Sequence, residues 1–124
     1  GYLIASKTAK EIVEELCPKS QIEYFPFTLY NHKGRVHSSD YFFINPIGGL
    51  DCLNEKASGV VYNNDGDVRS IKELILDPEK IKTAPHLFRI AQDRIKYVIS
   101  KQLGETFAQR GVTNIRGTPL RVEA

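Results

Sequence analysis

Two segments of the chain repeat apolar residues at helical spacing, each after a serine. The first follows Ser6, a good N-cap residue, and Pro18 ends it because proline cannot continue the backbone hydrogen bonds of a helix. Its apolar face is predicted to hold Ala9, Ile12, Val13, Leu16 and Cys17. The second follows Ser100 and ends at Gly111, a residue suited to a C-cap. Its buried positions are predicted to be Leu103 and Phe107.

The segment IEYFPFTLY at residues 22–30 alternates with the period of a β-strand. We expect its core face to hold Phe25, Phe27 and Leu29, and its other face to hold Tyr24, Thr28 and Tyr30. Pro26 removes one ladder donor, which places this strand at a sheet edge or puts a bulge in it. Turn residues at 31–34 then lead into a returning strand, so residues 22–45 are predicted to form a long hairpin.

Further turn signals predict an antiparallel arrangement for the rest of the chain. Asp65 and Gly66 predict a second hairpin, and the segments LFRIA and KYVIS predict two more short strands. Residues 2–26 and 97–119 share one order of elements, namely strand, serine, helix and a return strand that ends at proline. This likeness fits either a duplication or two common supersecondary motifs. The predicted fold class is α+β, an antiparallel sheet of hairpins with two main helices and similar strand–helix–strand units near each end.

The composition is that of an ordinary globular protein. The chain of 124 residues, 41% of them apolar, has the length of one domain, which we assign to residues 1–124. Because the sequence does not begin with methionine, we expect a short or trimmed version of that domain. The formal charge of +2 comes from scattered residues, so we expect no nucleic-acid partner, and the short apolar runs predict no membrane span. Sparse cysteines without a CxxC pair favour reduced thiols in the cytoplasm.

No group of residues has catalytic or metal-binding spacing. The three histidines are scattered and lack the HxxxH or HExxH spacing of zinc sites. Ser100 lacks the GxSxG turn of a hydrolase nucleophile, and helix capping explains it better. Asp51 precedes Cys52 and is expected to raise the pKa of that thiol, which disfavours a reactive thiolate. We therefore predict no catalytic residue, no metal and no cofactor, and a protein that works by binding.

Candidate binding residues fall in two regions. Tyrosine often carries interface energy because its ring is large and stiff and ends in a hydroxyl group. The tyrosines on or near the long hairpin are Tyr24, Tyr30 and Tyr41. The competing interpretation is that these rings pack beneath the helices. A second candidate surface is formed by the loops that carry Asp51, Asp65 and Asp67. The hairpin edge could also recruit a partner by strand addition.

Two long stretches carry a family resemblance. They are YFFINPIGGLDCLNEKASGVVYNNDGDVRSIKELILDPEKI and LFRIAQDRIKYVISKQLGETFAQRGVTNIRGTPL. Their landmarks are the LD-type segment at residues 51–54, the S-I-K-x-L-x-L-D run at residues 70–77, the pair Phe88 and Arg89, and the serine-capped helix. In this order and spacing the sequence resembles the immunity-protein family of bacterial polymorphic toxin systems, of the myxobacterial immunity-domain type.

The resemblance implies a non-catalytic protein that binds and neutralises a cognate protein toxin in the bacterial cytoplasm. The six tyrosine and aspartate candidates are then expected to contact the toxin. The alternative is a small regulatory or enzyme-like protein carried on a mobile element. The gene immediately upstream distinguishes the two, because a large secreted protein with a C-terminal toxin domain would favour immunity. The sequence leaves the identity of the toxin and the oligomeric state open.

Overall fold

The computed structural model describes residues 3–124, apart from the side chains of residues 37–39, so Tyr2 of the first predicted repeat lies outside it. The elements in chain order are β1 (Leu3–Ser6), α1 (Lys7–Leu16), a 3-10 turn (Lys19–Gln21), β2 (Ile22–Tyr30), β3 (Val36–Pro46), α2 (Glu55–Ser58), β4 (Val61–Tyr62), β5 (Val68–Ser70), β6 (Ile75–Leu76), β7 (Leu87–Ile90), β8 (Asp93–Ile99), α3 (Lys101–Gln109) and β9 (Arg121–Val122). This mixture of helices and mainly antiparallel strands is the predicted α+β class.

Both predicted helices are present and both begin at a serine cap. The Ser6 hydroxyl accepts a hydrogen bond from the backbone N–H of Ala9 at 3.3 Å, and the Ser100 hydroxyl accepts one from Leu103 at 3.0 Å. These bonds satisfy backbone donors that the first turn of a helix leaves without a partner. The two helices pack against each other, and Arg110 donates two 2.9 Å hydrogen bonds to the carboxylate of Glu15 across that contact.

The predicted long hairpin supplies two strands of a three-stranded antiparallel sheet with the strand order β1-β3-β2, in which β3 is central. Strand β2 is therefore an edge strand, as Pro26 indicated. The register between β2 and β3 shifts between Phe27 and Leu29 and again before Tyr30, which marks a bulge toward the hairpin tip. Both alternatives that Pro26 allowed, an edge and a bulge, occur in the same strand.

The prediction of which face of β2 lies in the core is wrong. Ile22 is buried and Tyr24 packs against the core, whereas Phe25 is 46% exposed and lies on the opposite face. The alternation itself was correct, but aromatic residues occupy both faces, so ring content alone does not identify the buried one. The aliphatic Ile22 identifies the buried face of β2. Its face includes Tyr24, which pairs with Ile44, and Ile44 is fully buried against the helices.

The buried residues form two hydrophobic clusters. The first lies between the helix pair and the sheet, and its fully buried members include Ala5, Ile12, Ile44 and Leu103. The second is built on Cys52, Leu53, Leu76, Phe88 and Ile90. Beside the second cluster, the predicted hairpin of β4 and β5 turns at Gly66, whose φ of 91° requires the conformational freedom of glycine. Strands β7 and β8 pair as a further antiparallel hairpin.

The predicted return strand at residues 115–119 is absent. Helix α3 ends at Gln109, shortly before the expected Gly111, and the Val112 N–H donates to the Phe107 carbonyl at 2.9 Å. The chain then runs without regular structure to β9, which pairs in parallel with β6. Gly117 and Pro119 explain the difference, because one weakens a strand and the other cannot donate to its ladder. The second unit therefore shares the strand and helix of the first but not its return strand.

Candidate functional site

One face of the three-stranded sheet carries apolar side chains that point away from the helices. Directly opposed residues in neighbouring strands point to the same side of a sheet. The register opposes Phe43 to both Ile4 and Phe25, and it opposes Tyr41 to Phe27. We call this set of five residues, Ile4, Phe25, Phe27, Tyr41 and Phe43, the outer face.

The rings of the outer face pack closely on one another. Phe27 stacks on Phe43 with centroids 4.3 Å apart, and it lies 6.0 Å from the ring of Tyr41 in a tilted arrangement. Ile4 and Phe25 remain 45% and 46% exposed. A contiguous group of exposed apolar side chains is typical of an interaction surface.

Polar contacts border the outer face at the end where β2 begins. The Asn45 amide donates to the Glu23 carboxylate at 2.8 Å, and its oxygen accepts a 2.9 Å hydrogen bond from Arg89. The Arg89 guanidinium also donates to the Pro46 carbonyl at 3.1 Å. These bonds connect β2, β3 and β7, so they hold that end of the sheet in one arrangement.

The hairpin tip, which we define as residues 31–35 at the opposite end, is exposed and carries the cations Lys33 and Arg35. The Asn31 side-chain oxygen accepts hydrogen bonds from the backbone N–H groups of Lys33 and Arg35, at 2.9 and 3.1 Å, and thereby shapes the turn. Tyr30 and Val36, which flank the turn, are 64% and 62% exposed. No acidic residue occurs between Glu23 and Asp40 in the sequence.

The three candidate tyrosines occupy three different environments. Tyr30 lies beside the hairpin tip and Tyr41 belongs to the outer face. Tyr24 lies on the helix side, where the ammonium of Lys10 is 5.4 Å from its ring centroid and 4.7 Å from that of Phe42. Burial raises the pKa of Tyr24 to about 12, and electrostatic interactions with Cys17 and Glu14 add to that effect. The competing interpretation, packing beneath a helix, thus describes the position of Tyr24.

The aspartate candidates lie on loops around the second cluster. The Asp51 carboxylate accepts hydrogen bonds from Gln92 at 3.0 Å and from Lys80 at 3.2 Å, and these donors lower its pKa. Asp67 lines a shallow cleft of about 490 Å³ together with Gln92, so the structure brings Asp51 and Asp67 to one region. Asp65 accepts a hydrogen bond from the Asp67 N–H at 3.0 Å and so supports the turn.

The same region contains a short polar network. The Gln92 amide group donates to both Asp51 and Glu55, and the Tyr62 hydroxyl donates to Glu55. The bond to Glu55 is the main cause that raises the pKa of Tyr62. The two carboxylates of this network, Asp51 and Glu55, thus each have a donor within the chain.

A comparison with models of protein families identifies the family of the chain that carries these surfaces. The model of the immunity protein family Imm11 matches residues 1–121. The chain belongs to the Imm11 family. No curated protein sequence matches the chain. Membership in an immunity protein family points to a role in toxin immunity, and the resemblance inferred from the sequence is confirmed.

The candidate nucleophiles of this Imm11 family member are its two cysteines and Ser100. The cysteines are buried and Ser100 caps a helix. The free cysteines Cys17 and Cys52 are both buried, and burial raises the pKa of each thiol, that of Cys52 to about 11 with a further contribution from Asp51. The Ser100 hydroxyl lies 2.7 Å from Nδ1 of His86 while it caps α3. Among the described residues no group of three or more His, Cys, Asp or Glu side chains could hold a metal ion. None of the described helices is long and apolar enough to cross a membrane.

Sequence reasoning missed most of the outer face in this Imm11 chain. The alternation of β2 predicts Phe25 and Phe27 in the core, and neither Ile4 nor Phe43 is among the six predicted candidates. The available signal was Ile22, whose aliphatic side chain begins the alternation of the buried face. Counting from Ile22 places Tyr24 inside and Phe25 and Phe27 outside.

Proposed function

We propose that this Imm11 family member is a non-catalytic immunity protein that binds a cognate protein toxin in the bacterial cytoplasm and neutralises it. The family match over residues 1–121 is the observation that carries the proposal. The exposed apolar outer face supports it, because a protein that works by binding needs a surface that gains free energy when water leaves.

The environment of the polar side chains also supports a binding role. The two thiols are buried and shifted toward the neutral form, and Ser100, which lies 2.7 Å from His86, accepts the capping hydrogen bond of α3. A cysteine nucleophile needs an accessible position and a lowered pKa, and neither thiol has them. Neutralisation by binding requires only that the complex covers the active site of the toxin or holds the toxin in an inactive shape.

The candidate residues divide between two possible toxin contacts. Tyr30 and Tyr41 lie on the hairpin, and Tyr24 supports it from the helix side. Asp51, Asp65 and Asp67 lie on the loops of the second cluster. We propose the hairpin as the primary contact, because its exposed rings can fill pockets of a partner, whereas Asp51 and Asp65 already accept hydrogen bonds within the chain.

Growth rescue tests the proposed function. The product of the gene immediately upstream would be expressed from an inducible promoter in a bacterial host, with and without this chain. We expect growth arrest that the chain relieves, and we expect no relief of arrest by a toxin from an unrelated system. Unrelieved arrest, with both proteins present in equal amounts, would contradict the proposal.

A further inference from the structure

We infer that the outer face and the hairpin tip together form the toxin-docking surface, and that the toxin surface they meet is apolar at its centre and acidic at its rim. This inference rests on the proposed function and identifies the chemistry of the partner. It follows from the apolar packing, the blocked sheet edge and the charge of the tip.

The apolar centre is arranged before binding. Phe27 and Phe43 stack at 4.3 Å, so their side chains are already restrained, and binding costs less conformational entropy than it would for free rings. Phe25 and Ile4 flank this pair with almost half of their surface exposed. Strand β2 has nine residues and is about 30 Å long, roughly the width of the patch that each partner contributes to a standard interface.

The edge of β2 is poorly suited to strand addition. Pro26 supplies no N–H to an incoming strand, and the register shifts after Phe27 bend the edge toward the tip. An added strand would need an unbroken row of donors and acceptors. The partner is therefore expected to cover the face of the sheet and not to extend its edge.

The charge of the hairpin tip determines the sign of the charge expected on the docked surface of the partner. Lys33 and Arg35 form no ion pair within the described part of the chain. Between residues 51 and 79, by contrast, seven acidic residues stand against three basic ones. Several of those carboxylates already have donors, since Asp51 contacts Lys80 and Glu73 contacts Arg121. The hairpin tip thus has cationic groups available for acidic residues of a partner.

The acidic character expected of the docked toxin surface restricts which part of a toxin this protein can cover. A groove that binds nucleic acid is cationic, because it must neutralise phosphates. Such a groove would repel Lys33 and Arg35. The docked toxin surface is therefore not a nucleic-acid-binding groove, and a nuclease toxin would have to be inhibited from another of its surfaces.

Four variants test the surface against the purified product of the upstream gene. Phe25→Thr removes a ring while keeping a residue with high strand propensity, and Arg35→Glu reverses one charge at the tip. The matched controls are Tyr62→Ala, a ring 44% exposed on β4, and Lys101→Glu, an equal charge reversal on α3. Dissociation constants would be measured by calorimetry at low and high salt, after the melting temperature shows that each variant is folded.

We expect Phe25→Thr to weaken binding about thirtyfold at both salt concentrations. Arg35→Glu should weaken it about tenfold at low salt and clearly less at high salt, because salt screens the exposed charge. Both controls should stay within about twofold of the wild type. If Phe25→Thr does not fold, Ile4→Thr, at the other side of the outer face, replaces it with the same expectation.

The possible failures are distinguishable. If the wild type does not bind the upstream product, the proposed function fails and the inference with it. If the wild type binds but Phe25→Thr and Arg35→Glu bind equally well, or Tyr62→Ala is the variant that loses affinity, only the docking surface is wrong. Tighter binding by Arg35→Glu would show a cationic partner. Binding of a labelled single-stranded oligonucleotide that Phe25→Thr abolishes would assign the face to nucleic acid and overturn the inference.

Discussion

Phe27 stacks on Phe43 across the pair of strands β2 and β3, with ring centroids 4.3 Å apart and planes inclined by 21°. This contact lies on the outer face, opposite the helices, so it stabilises the hairpin without belonging to either hydrophobic cluster. Phe25, its neighbour on the same face, is 46% exposed. The two phenylalanines are therefore expected to differ in their effects on folding.

Phe27→Ala should lower the free energy of unfolding by about 1–2 kcal/mol, because it removes a stacked cross-strand pair and leaves the ring of Phe43 more exposed. Phe25→Thr should cost less than about 1 kcal/mol, because its ring is only half-buried and threonine favours strands. Urea unfolding of both variants measures the difference. Equal losses would show that Phe25 also contributes to the stability of the sheet.

Ser58 is a buried polar residue beside the second hydrophobic cluster, and its hydroxyl group bonds to both polar groups of the Ile75 backbone. It donates to the Ile75 carbonyl and accepts from the Ile75 N–H, each at 3.0 Å. Ser58→Ala should therefore destabilise the protein by about 2 kcal/mol, because the Ile75 N–H loses its acceptor and the Ile75 carbonyl keeps only the Asn54 N–H as a donor. The matched control is Ser70→Ala on the exposed strand β5, which should change stability by less than about 0.5 kcal/mol. Similar values for the two variants in urea unfolding would contradict the role of Ser58.

Loss of the phenolic proton of Tyr24 should lower the free energy of unfolding at high pH. Its pKa of about 12 in the folded protein lies above the ordinary value of 10, so the unfolded chain loses the phenolic proton first. Between these two values the unfolded state binds fewer protons, and the free energy of unfolding decreases as pH rises. Tyr24→Phe should lose less stability than the wild type between pH 9 and pH 11, as measured by melting temperature. Parallel pH profiles would show that Tyr24 titrates normally.

The two buried thiols should react slowly in the native protein. Burial protects Cys17 and Cys52 and raises the pKa of both, which reduces the fraction of thiolate. After unfolding in denaturant without reductant, both thiols should react at once with a thiol reagent. Rapid reaction of the native protein, or fewer than two thiols after unfolding, would contradict the buried and reduced state.

The elements that were predicted correctly depend on local chemistry. Ser6 and Ser100 begin helices, Pro18 follows the end of the first one, and Gly66 forms a turn that few other residues can adopt. Each of these signals acts within a few residues, so a single sequence contains it completely.

Most of the errors concern contacts between distant residues, whereas the missing strand at residues 115–119 has a local cause in Gly117 and Pro119. The core face of β2 depends on Ile44 and on the helices beyond it, and aromatic residues on both faces hid that choice. The parallel pairing of β6 with β9 joins segments more than forty residues apart, so no local sequence pattern predicts it. The outer face could not be predicted as a candidate site for the same reason, because its members come from three strands.

Hydrogen exchange of the complex tests the central claim most directly, since it locates the toxin contact without any substitution. The backbone amides at residues 31–35 lie at an exposed tip and should exchange rapidly in the free chain. On addition of the product of the upstream gene, we predict slower exchange at the tip and along residues 22–46, and unchanged exchange at residues 61–70. Slower exchange confined to residues 61–70, or no change anywhere in the chain, would contradict toxin binding through the outer face and the hairpin tip.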